Sequence, residues 1–536
     1  MVPFQESGDV HDVFHELTSC LDTKTLLDLA RRFSETYENL ARDSTEHFLV
    51  TPVTALPTGK EQGRFLAIDL GGSNLRVGFV ELAGDLDKPG RSGNQAHHGR
   101  GHFPAKINRS HDKSWSIGDH LKMDKPEDLF KWVGDCMAEV VADAINDTTI
   151  SKDKEVLLGV TFSFPMAQTS LSEARLLPMG KGFAINTHLN LGEMLLAGYA
   201  RHCSVSSTDG ILADDATDAK SDDLLPSLRV AAITNDTVAT FVSLAYTVNS
   251  TRSSRVTMGL IVGTGTNATI PMRPTSLHPS KLSGIQQSEA ADSIVINTEW
   301  TIRGTDKPLE ALGIKTRWDR TLDQNSDAPG FQPFEYMTSG RYLGEIVRMA
   351  FVYIVSLDTD MDRIPYILQD KNALPTRFLS ETVARLDHNS LRELLAKEYP
   401  SNVAGDDSFW TATRVHLLRS LAQTVQQRSS ALIAAASVGL LGCAGDISLT
   451  QRSTTQPSLS GSESDVPPDM EELVIAYTGS TISQYPHWLE DCQKWIDELV
   501  TASGLNSGRR VVLREAVDGG IVGAAVLAGM ENKMLQ

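Results

Sequence analysis

The chain has 536 residues, a formal net charge of −19, 41% hydrophobic and 22% charged residues, values of a soluble globular protein too long for one core. Such acidity disfavours nucleic acid or an anionic membrane surface as partner, because both reward clustered Lys and Arg. Five scattered cysteines (Cys20, Cys136, Cys203, Cys443, Cys492) with no C-x-x-C pair suggest reduced thiols and a cytoplasmic location, with nuclear or organelle-surface association left open, and argue against structural zinc.

In chain order, the opening MVPFQESGDVHD is acidic and polar, so neither a secretory signal nor an Arg-rich transit peptide is expected. Val13, Leu17, Leu21, Leu26, Leu29 and Phe33 carry helical spacing and predict an N-terminal helical segment over 13–40. Residues 65–82, FLAIDLGGSNLRVGFVEL, read as a strand, a tight turn built from Asp69, Gly71 and Gly72, and a returning strand. Glycines there let backbone N–H groups approach a phosphate, and Asp69 could hold its magnesium through water. An ordinary hairpin turn explains this segment almost as well.

Residues 84–116, rich in Gly, His, Ser, Arg and Lys, are expected to form an exposed excursion; 126–141 an amphipathic helix capped by Asp124; and 156–164 a buried strand. The acidic stretch 206–223 reads as a surface loop near a domain boundary, 229–234 as a strand and 236–246 as a helix. Residues 258–270, MGLIVGTGTNATI, then repeat the first design with the turn Gly263-Thr264-Gly265-Thr266-Asn267. Two such turns suggest two similar lobes with a nucleotide between them. Neither has P-loop spacing, and neither has the G-x-G-x-x-G, helix and ribose-binding acid of a dinucleotide fold. The run 431–444 is too short to span a bilayer and reads as a buried helix, while the Ser/Thr/Gln/Pro tract 450–468 reads as a disordered loop. Strands alternating with helices in both halves give an α/β protein with mixed sheets.

Four segments could carry chemistry. Thr161-Phe162-Ser163-Phe164-Pro165 ends a buried strand on a hydroxyl. Met179-Gly180-Lys181-Gly182-Phe183 sets a lysine between glycines. Thr234-Asn235-Asp236-Thr237 puts an amide and a carboxylate at a strand end, and Ile296-Asn297-Thr298-Glu299-Trp300 ends an apolar run on a carboxylate. Taken singly, Asp236 could merely cap a helix, Lys181 could be a solvated loop lysine and Glu299 an exposed strand-end acid.

Their order relative to the two glycine turns resembles the hexokinase family of the actin-like ATPase superfamily, from about residue 45 to the C-terminus. The resembling segments are LAIDLGGSNLRV, GVTFSFP, GKGF, ITNDTV, IVGTGTNA, INTEW and the Phe334-Glu335 of PFEYMTSGRYLGEI. The resemblance implies a two-lobed α/β actin-like ATPase fold, mixed sheets in a small and a large domain with a deep cleft. It places an N-terminal helical segment (1–63) on the large domain, a small domain over 64–228 joined by a C-terminal helix (519–536), and the large domain over 229–518. It implies ATP and Mg2+ as cofactors and a small-molecule sugar as substrate.

By resemblance, Asp236 is the general base for the sugar 6-hydroxyl, and Lys181 offsets charge on the phosphoryl oxygens. Ser163, Gly180, Lys181, Asn235, Asp236, Asn267, Glu299 and Glu335 bind the sugar. Asp69, Gly71, Gly72, Ser73, Asn74 and Arg76, with Gly263, Thr264 and Gly265, surround magnesium and the phosphates. Gly479 and Ser480, in Tyr477-Thr478-Gly479-Ser480-Thr481, resemble the adenosine motif with Thr478 for its usual aspartate. Asp518-Gly519-Gly520-Ile521 opens the closing helix with Gly520-Ile521 for the usual Ser-Gly.

One departure bears on the substrate. Glucose hexokinases carry Trp-Thr-Lys-Gly-Phe where this chain has Met179-Gly180-Lys181-Gly182-Phe183. The missing hydroxyl removes a hydrogen bond worth about 1 kcal/mol or somewhat more, and the missing bulk leaves room for a larger ring substituent. The variant is similar to fungal hexokinase-like N-acetylglucosamine kinases, so N-acetylglucosamine is the expected substrate, with a glucose, mannose or fructose hexokinase as the alternative. A regulatory sugar sensor with little catalysis is the alternative of another class, and an actin-like or chaperone-like ATPase would not need the paired glutamates.

Overall fold

The computed structural model describes residues 8–72, 74–84, 106–118, 120–121, 125–163, 166–176, 189–203, 224–248, 254–285, 291–402, 409–449, 471–506 and 508–535. It divides into two compact units. The first comprises Met1–Leu49, Arg252–Lys281 and Asn297–Glu515; the second comprises Val50–Thr251, Leu282–Ile296 and Ala516–Gln536. The passage expected at 228/229 thus falls at 251/252, and the N-terminal segment expected over 1–63 divides after Leu49. Strand pairing is the reason for the first difference. Leu228–Thr234 runs parallel to Val156–Phe162, with Thr234 opposite Thr161, and so completes the second unit's sheet.

That sheet has five strands in the order Ile107–Ser116, Asn74–Leu82, Gly63–Leu70, Val156–Phe162, Leu228–Thr234. The first three are mutually antiparallel and the last three parallel. Leu66, Ala67 and Ile68 are buried in succession, as a strand covered on both faces requires. Helix Pro126–Asn146 packs Leu129, Val133 and Met137 into the core with Leu66 and Ile68. Helix Gly519–Leu535 lies so close that a Cβ on Gly159 would meet the Ala524 carbonyl oxygen at 2.3 Å.

Ile107–Ser116 corrects the excursion expected over 84–116. Its alternating charged residues suit an edge strand, and they hide the strand signal. Lys125 precedes Pro126–Asn146 without a side-chain cap, and the expected cap Asp124 lies outside the described residues, as do 206–223 and 450–468.

In the first unit, Ser254–Val262 and Thr266–Met272 form an antiparallel pair with Thr266 opposite Val262, the hairpin expected around Gly263. Glu471–Thr478 runs parallel beside Ser254–Val262, and Arg509–Glu515 parallel beyond it. The apolar run at 431–444 is the second half of the 33-residue helix Ala412–Ala444, started by the Thr411 side chain and ended at left-handed Gly445. The N-terminal helical segment comes as two helices, Gly8–Thr18 and Thr23–Asp43, broken where the Asp22 carboxylate accepts from Thr25 N–H at 3.0 Å. Thr23–Asp43 touches Ala412–Ala444 nearly backbone to backbone, since a Cβ on Gly439 would lie 2.8 Å from Ala30 O. No helix among the described residues is long and apolar enough to cross a membrane.

Candidate active site

Three parallel neighbours in the second unit end on the same side of the sheet, and each delivers site residues there. Gly63–Leu70 delivers Asp69, Val156–Phe162 delivers Ser163, and Leu228–Thr234 delivers Asn235 and Asp236. Ser163 N–H donates to Leu70 O at 3.1 Å, which ties two of these ends together. Asn235 caps helix Asp236–Thr247, its Oδ1 accepting from Thr237 N–H at 2.9 Å. Asp236 therefore opens the helix rather than capping it. Gly71 N–H donates to Asn74 O at 3.0 Å and closes the first turn.

Neither Gly71 nor Gly72 adopts a positive φ, and a Cβ on Gly72 would meet nothing within 4 Å among the described residues. Packing does not require these glycines; a ligand approaching the backbone would.

The N-terminus of helix Gly519–Leu535 reaches the same place. A Cβ on Gly520 would lie 2.4 Å from Asp69 Oδ2, and Thr161 Oγ1 donates to Gly520 O at 2.8 Å. Asp518, with left-handed φ of 52°, pairs with Arg109 and lies 3.6 Å from Arg76. Burial raises the Asp69 carboxyl to about 6, against the lowering pull of Arg76, with Asp236 and Asp518 adding to the rise. Among the described residues no group of three or more His, Cys, Asp or Glu could hold a metal ion. A single carboxylate beside an open glycine turn fits a magnesium that keeps most of its waters.

In the first unit, Ser254–Val262 and Glu471–Thr478 also end side by side. A Cβ on Gly263 would lie 3.5 Å from Gly479 Cα. Gly479 has φ 122°, and a Cβ there would sit 2.4 Å from Val262 O, so this position must be glycine. The Gly263 carbonyl accepts from Gly340 N–H at 2.7 Å and Thr481 Oγ1 at 3.0 Å, and Thr264 O accepts from Arg341 N–H at 3.2 Å. Ser480 starts helix Ser480–Gln484.

Gly265, expected at a phosphate, also borders a glutamate: a Cβ there would lie 3.0 Å from Glu335 Oε2, which accepts from Thr266 N–H at 3.2 Å. Asn267, Asn297 and Glu299 form one cluster, with Asn297 Nδ2 donating to Glu299 Oε1 at 2.8 Å and Asn267 Nδ2 to Asn297 Oδ1 at 2.7 Å. Buried Trp300 and Phe334, packed edge to face at 6.1 Å, anchor the chain beside Glu299 and Glu335.

The expected residues thus fall into two sets. Asp69, Gly71, Gly72, Asn74, Arg76, Ser163, Asn235 and Asp236 belong to the second unit; Gly263, Thr264, Gly265, Asn267, Glu299, Glu335, Gly479 and Ser480 belong to the first. Ser73, Gly180 and Lys181 lie outside the described residues. Sequence reasoning missed Thr161, Arg109, Gly340, Arg341 and Asn297. Asn297 ends strand Ile294–Asn297, and the left-handed turn at Glu299 two residues later, which no strand periodicity announces, brings their side chains together.

One hexokinase family model matches residues 257–530 and a second matches 12–246. Hexokinase-7 of Oryza sativa subsp. japonica is 28% identical over 492 residues, 91% of this chain and 89% of that protein. Hexokinase-1 of Arabidopsis thaliana is 27% identical over 513 residues, 94% of this chain and 87% of that protein. Among solved structures, the hexokinase from Schistosoma mansoni complexed with glucose matches with a TM-score of 0.69 and 25% identity, covering 97% of this chain and 99% of that one. Another hexokinase crystal structure shares the fold at a TM-score of 0.66 and 22% identity, covering 98% of this chain and 100% of that one. The matched models take in most of both units, and the chain belongs to the hexokinase family, a sugar kinase on a two-domain α/β fold.

Proposed function

We propose that this chain transfers the γ-phosphate of ATP to the 6-hydroxyl of a hexose, with Asp236 as general base. The observation that carries the reading is the set of three parallel strand ends that present Asp69, Ser163, Asn235 and Asp236 on one side of one sheet. The hydroxyl proton passes to the Asp236 carboxylate as O6 bonds to the γ-phosphorus. The bond to the bridging oxygen breaks, and ADP and hexose 6-phosphate leave. In the second unit, Asp69, Gly71, Gly72, Asn74 and Arg76 are read as magnesium and phosphate residues; in the first, Gly263, Thr264, Gly265, Gly479 and Ser480 are read as nucleotide residues. Magnesium, when bound with ATP, supplies charge neutralisation at the phosphates. Lys181 is read as the cation at the transferring phosphoryl group. Ser163, Asn235, Asn267, Glu299 and Glu335 offer the amides and acceptors that suit ring hydroxyls.

Glucose and its close epimers are the first choice of acceptor, since the schistosome relative is complexed with glucose and the plant relatives are hexokinases. A second reading, N-acetylglucosamine as in fungal hexokinase-like kinases, rests on Gly180, where a glucose enzyme carries threonine. A cytoplasmic site of action accords with the five scattered cysteines. An ATP-coupled assay across glucose, mannose, fructose and N-acetylglucosamine tests both, with Asp236→Ala as the arm that removes the base. Glucose should exceed N-acetylglucosamine at least tenfold in kcat/KM, and Asp236→Ala should bind sugar without turnover. The reverse sugar order selects the amino-sugar reading. Sugar binding with no turnover by the native chain overturns the kinase reading in favour of a sensor.

A further inference from the structure

We propose that Asn297 is a positioning residue for sugar recognition, fixing the direction of Glu299 through a relay anchored on the backbone; this rests on the reading of Glu299 as a sugar ligand. Glu299 has φ 48°, a left-handed conformation that a glutamate adopts only when its surroundings impose it. Those surroundings are visible on both sides. Thr298 is fully buried, its N–H and Oγ1 donating to Ala268 O at 3.0 and 2.9 Å, and Trp300 is fully buried as well. Pinned neighbours fix the Glu299 backbone, but they do not by themselves choose a rotamer for its long side chain.

The relay removes that choice. Ala268 N–H can only donate, and it donates to Asn267 Oδ1 at 2.8 Å. The Asn267 amide is thereby oriented, with Nδ2 facing Asn297 Oδ1 at 2.7 Å and Glu299 Oε1 at 3.4 Å. Asn297, its oxygen so engaged, must present Nδ2 to Glu299 Oε1 at 2.8 Å. Each amide orientation follows from the one before, starting from a backbone donor that cannot flip. Two N–H donors then converge on Oε1. A carboxylate recognises a sugar by accepting, so the ring position it is read to contact should carry a hydroxyl or other donor. Ligands with a deoxy or O-methyl group there should be rejected.

The test compares Asn297→Asp and Asn297→Ala with the native chain. Aspartate keeps the shape but replaces the donor with a negative oxygen against Glu299; alanine removes the group altogether. Both variants should raise KM for hexose about 10- to 100-fold, aspartate more than alanine, with kcat and KM for ATP within about threefold of native and an unchanged melting temperature for at least one of them. A space-filling role predicts instead that aspartate is harmless. Wild-type KM for hexose in a folded Asn297→Asp protein overturns the proposal. So does a loss that falls equally on kcat, KM for ATP and stability. If the native chain phosphorylates no hexose, the kinase reading fails, and a crystal structure of Asn297→Ala still decides the relay: Glu299 in its native rotamer refutes it, and a turned side chain supports it.

Discussion

Asp69 sits in an environment that penalises its charge, and removing that charge should stabilise the protein while disabling it. Burial, with Asp236 and Asp518 behind it, outweighs Arg76 and raises the Asp69 carboxyl from 3.8 to about 6. At 1.36 kcal/mol per pH decade, this shift lowers the stability of the folded protein at neutral pH, relative to an unshifted carboxyl, by at most about 3 kcal/mol. Asp69→Asn keeps the shape that fits against Gly520 and carries no charge to desolvate. The pH dependence has a definite sign. The folded state holds the proton more tightly than the unfolded chain, so native stability falls as pH rises from about 4 to about 6, and the full deficit is present above that window. The variant does not titrate there. Its advantage should be absent near pH 4, grow through the window and stay level above pH 6. At about 2 °C per kcal/mol for a unit of this size, the shift at pH 7.5 is at most about 6 °C. Thermal unfolding across pH 4–8 measures it, and the coupled kinase assay at pH 7.5 should show turnover lost. A variant less stable than native at pH 7.5, or equally more stable at pH 4, would refute the reasoning.

Gly479→Ala should act on the nucleotide alone. The φ of 122° and the 2.4 Å approach to Val262 O force the 479–481 turn to move, so KM for ATP should rise tenfold or more while sugar binding, followed by tryptophan fluorescence, holds. Arg428→Met should act on stability alone. Arg428 and Asp319 are 1% and 3% exposed and joined by hydrogen bonds of 3.0 and 2.6 Å, so the variant strands a buried carboxylate. The expected loss is about 3–5 kcal/mol, read as a lower denaturant midpoint, with KM values unchanged in the folded fraction.

Where strand periodicity and glycine spacing act locally, the sequence was a good guide. Both hairpins, Gly63–Leu70 with Asn74–Leu82 and Ser254–Val262 with Thr266–Met272, stand where apolar runs flank a glycine turn. Ile107–Ser116 was not legible, because an edge strand has only one neighbour to satisfy and can carry His, Asp and Lys along its length. The unit boundary after residue 228 was misplaced for a related reason. Leu228–Thr234 is an apolar run that could join either sheet, and its partner is chosen by parallel pairing with a strand some 70 residues earlier, which no local pattern encodes. Among the candidate residues, Asp69 and Asp236 do stand at strand ends as their apolar runs predict, whereas Glu335 lies in helix Pro333–Thr338. Residues defined by what they touch were not legible. Arg109 is an ordinary surface arginine until Asp518, about 400 residues on, is placed beside it, and nothing near Gly265 in sequence announces that Glu335, about 70 residues on, borders it.

The acids at the end of the second unit's sheet leave Asp69 with charge that the protein itself only partly offsets. Asp69, Asp236 and Asp518 interact closely enough that the last two raise the first, and Arg76 and Arg109 offset the three only in part. A chain selected for stability alone would be better served by asparagine at 69, which fits the same space beside Gly520 and needs no counter-charge. Nor is the arrangement a by-product of packing. Gly520 stands where the family usually has serine, and its missing side chain makes the room that the Asp69 carboxylate fills. Helix Gly519–Leu535 presses against this carboxylate at its N-terminus, which favours the anion but does not overcome burial. On the proposed reading, a magnesium that keeps most of its waters and comes with the nucleotide phosphates would offset the charge of Asp69. If that reading holds, the raised Asp69 carboxyl and the open glycines at 71 and 72 have one explanation, a ligand that supplies counter-charge and approaches the backbone where the chain leaves space.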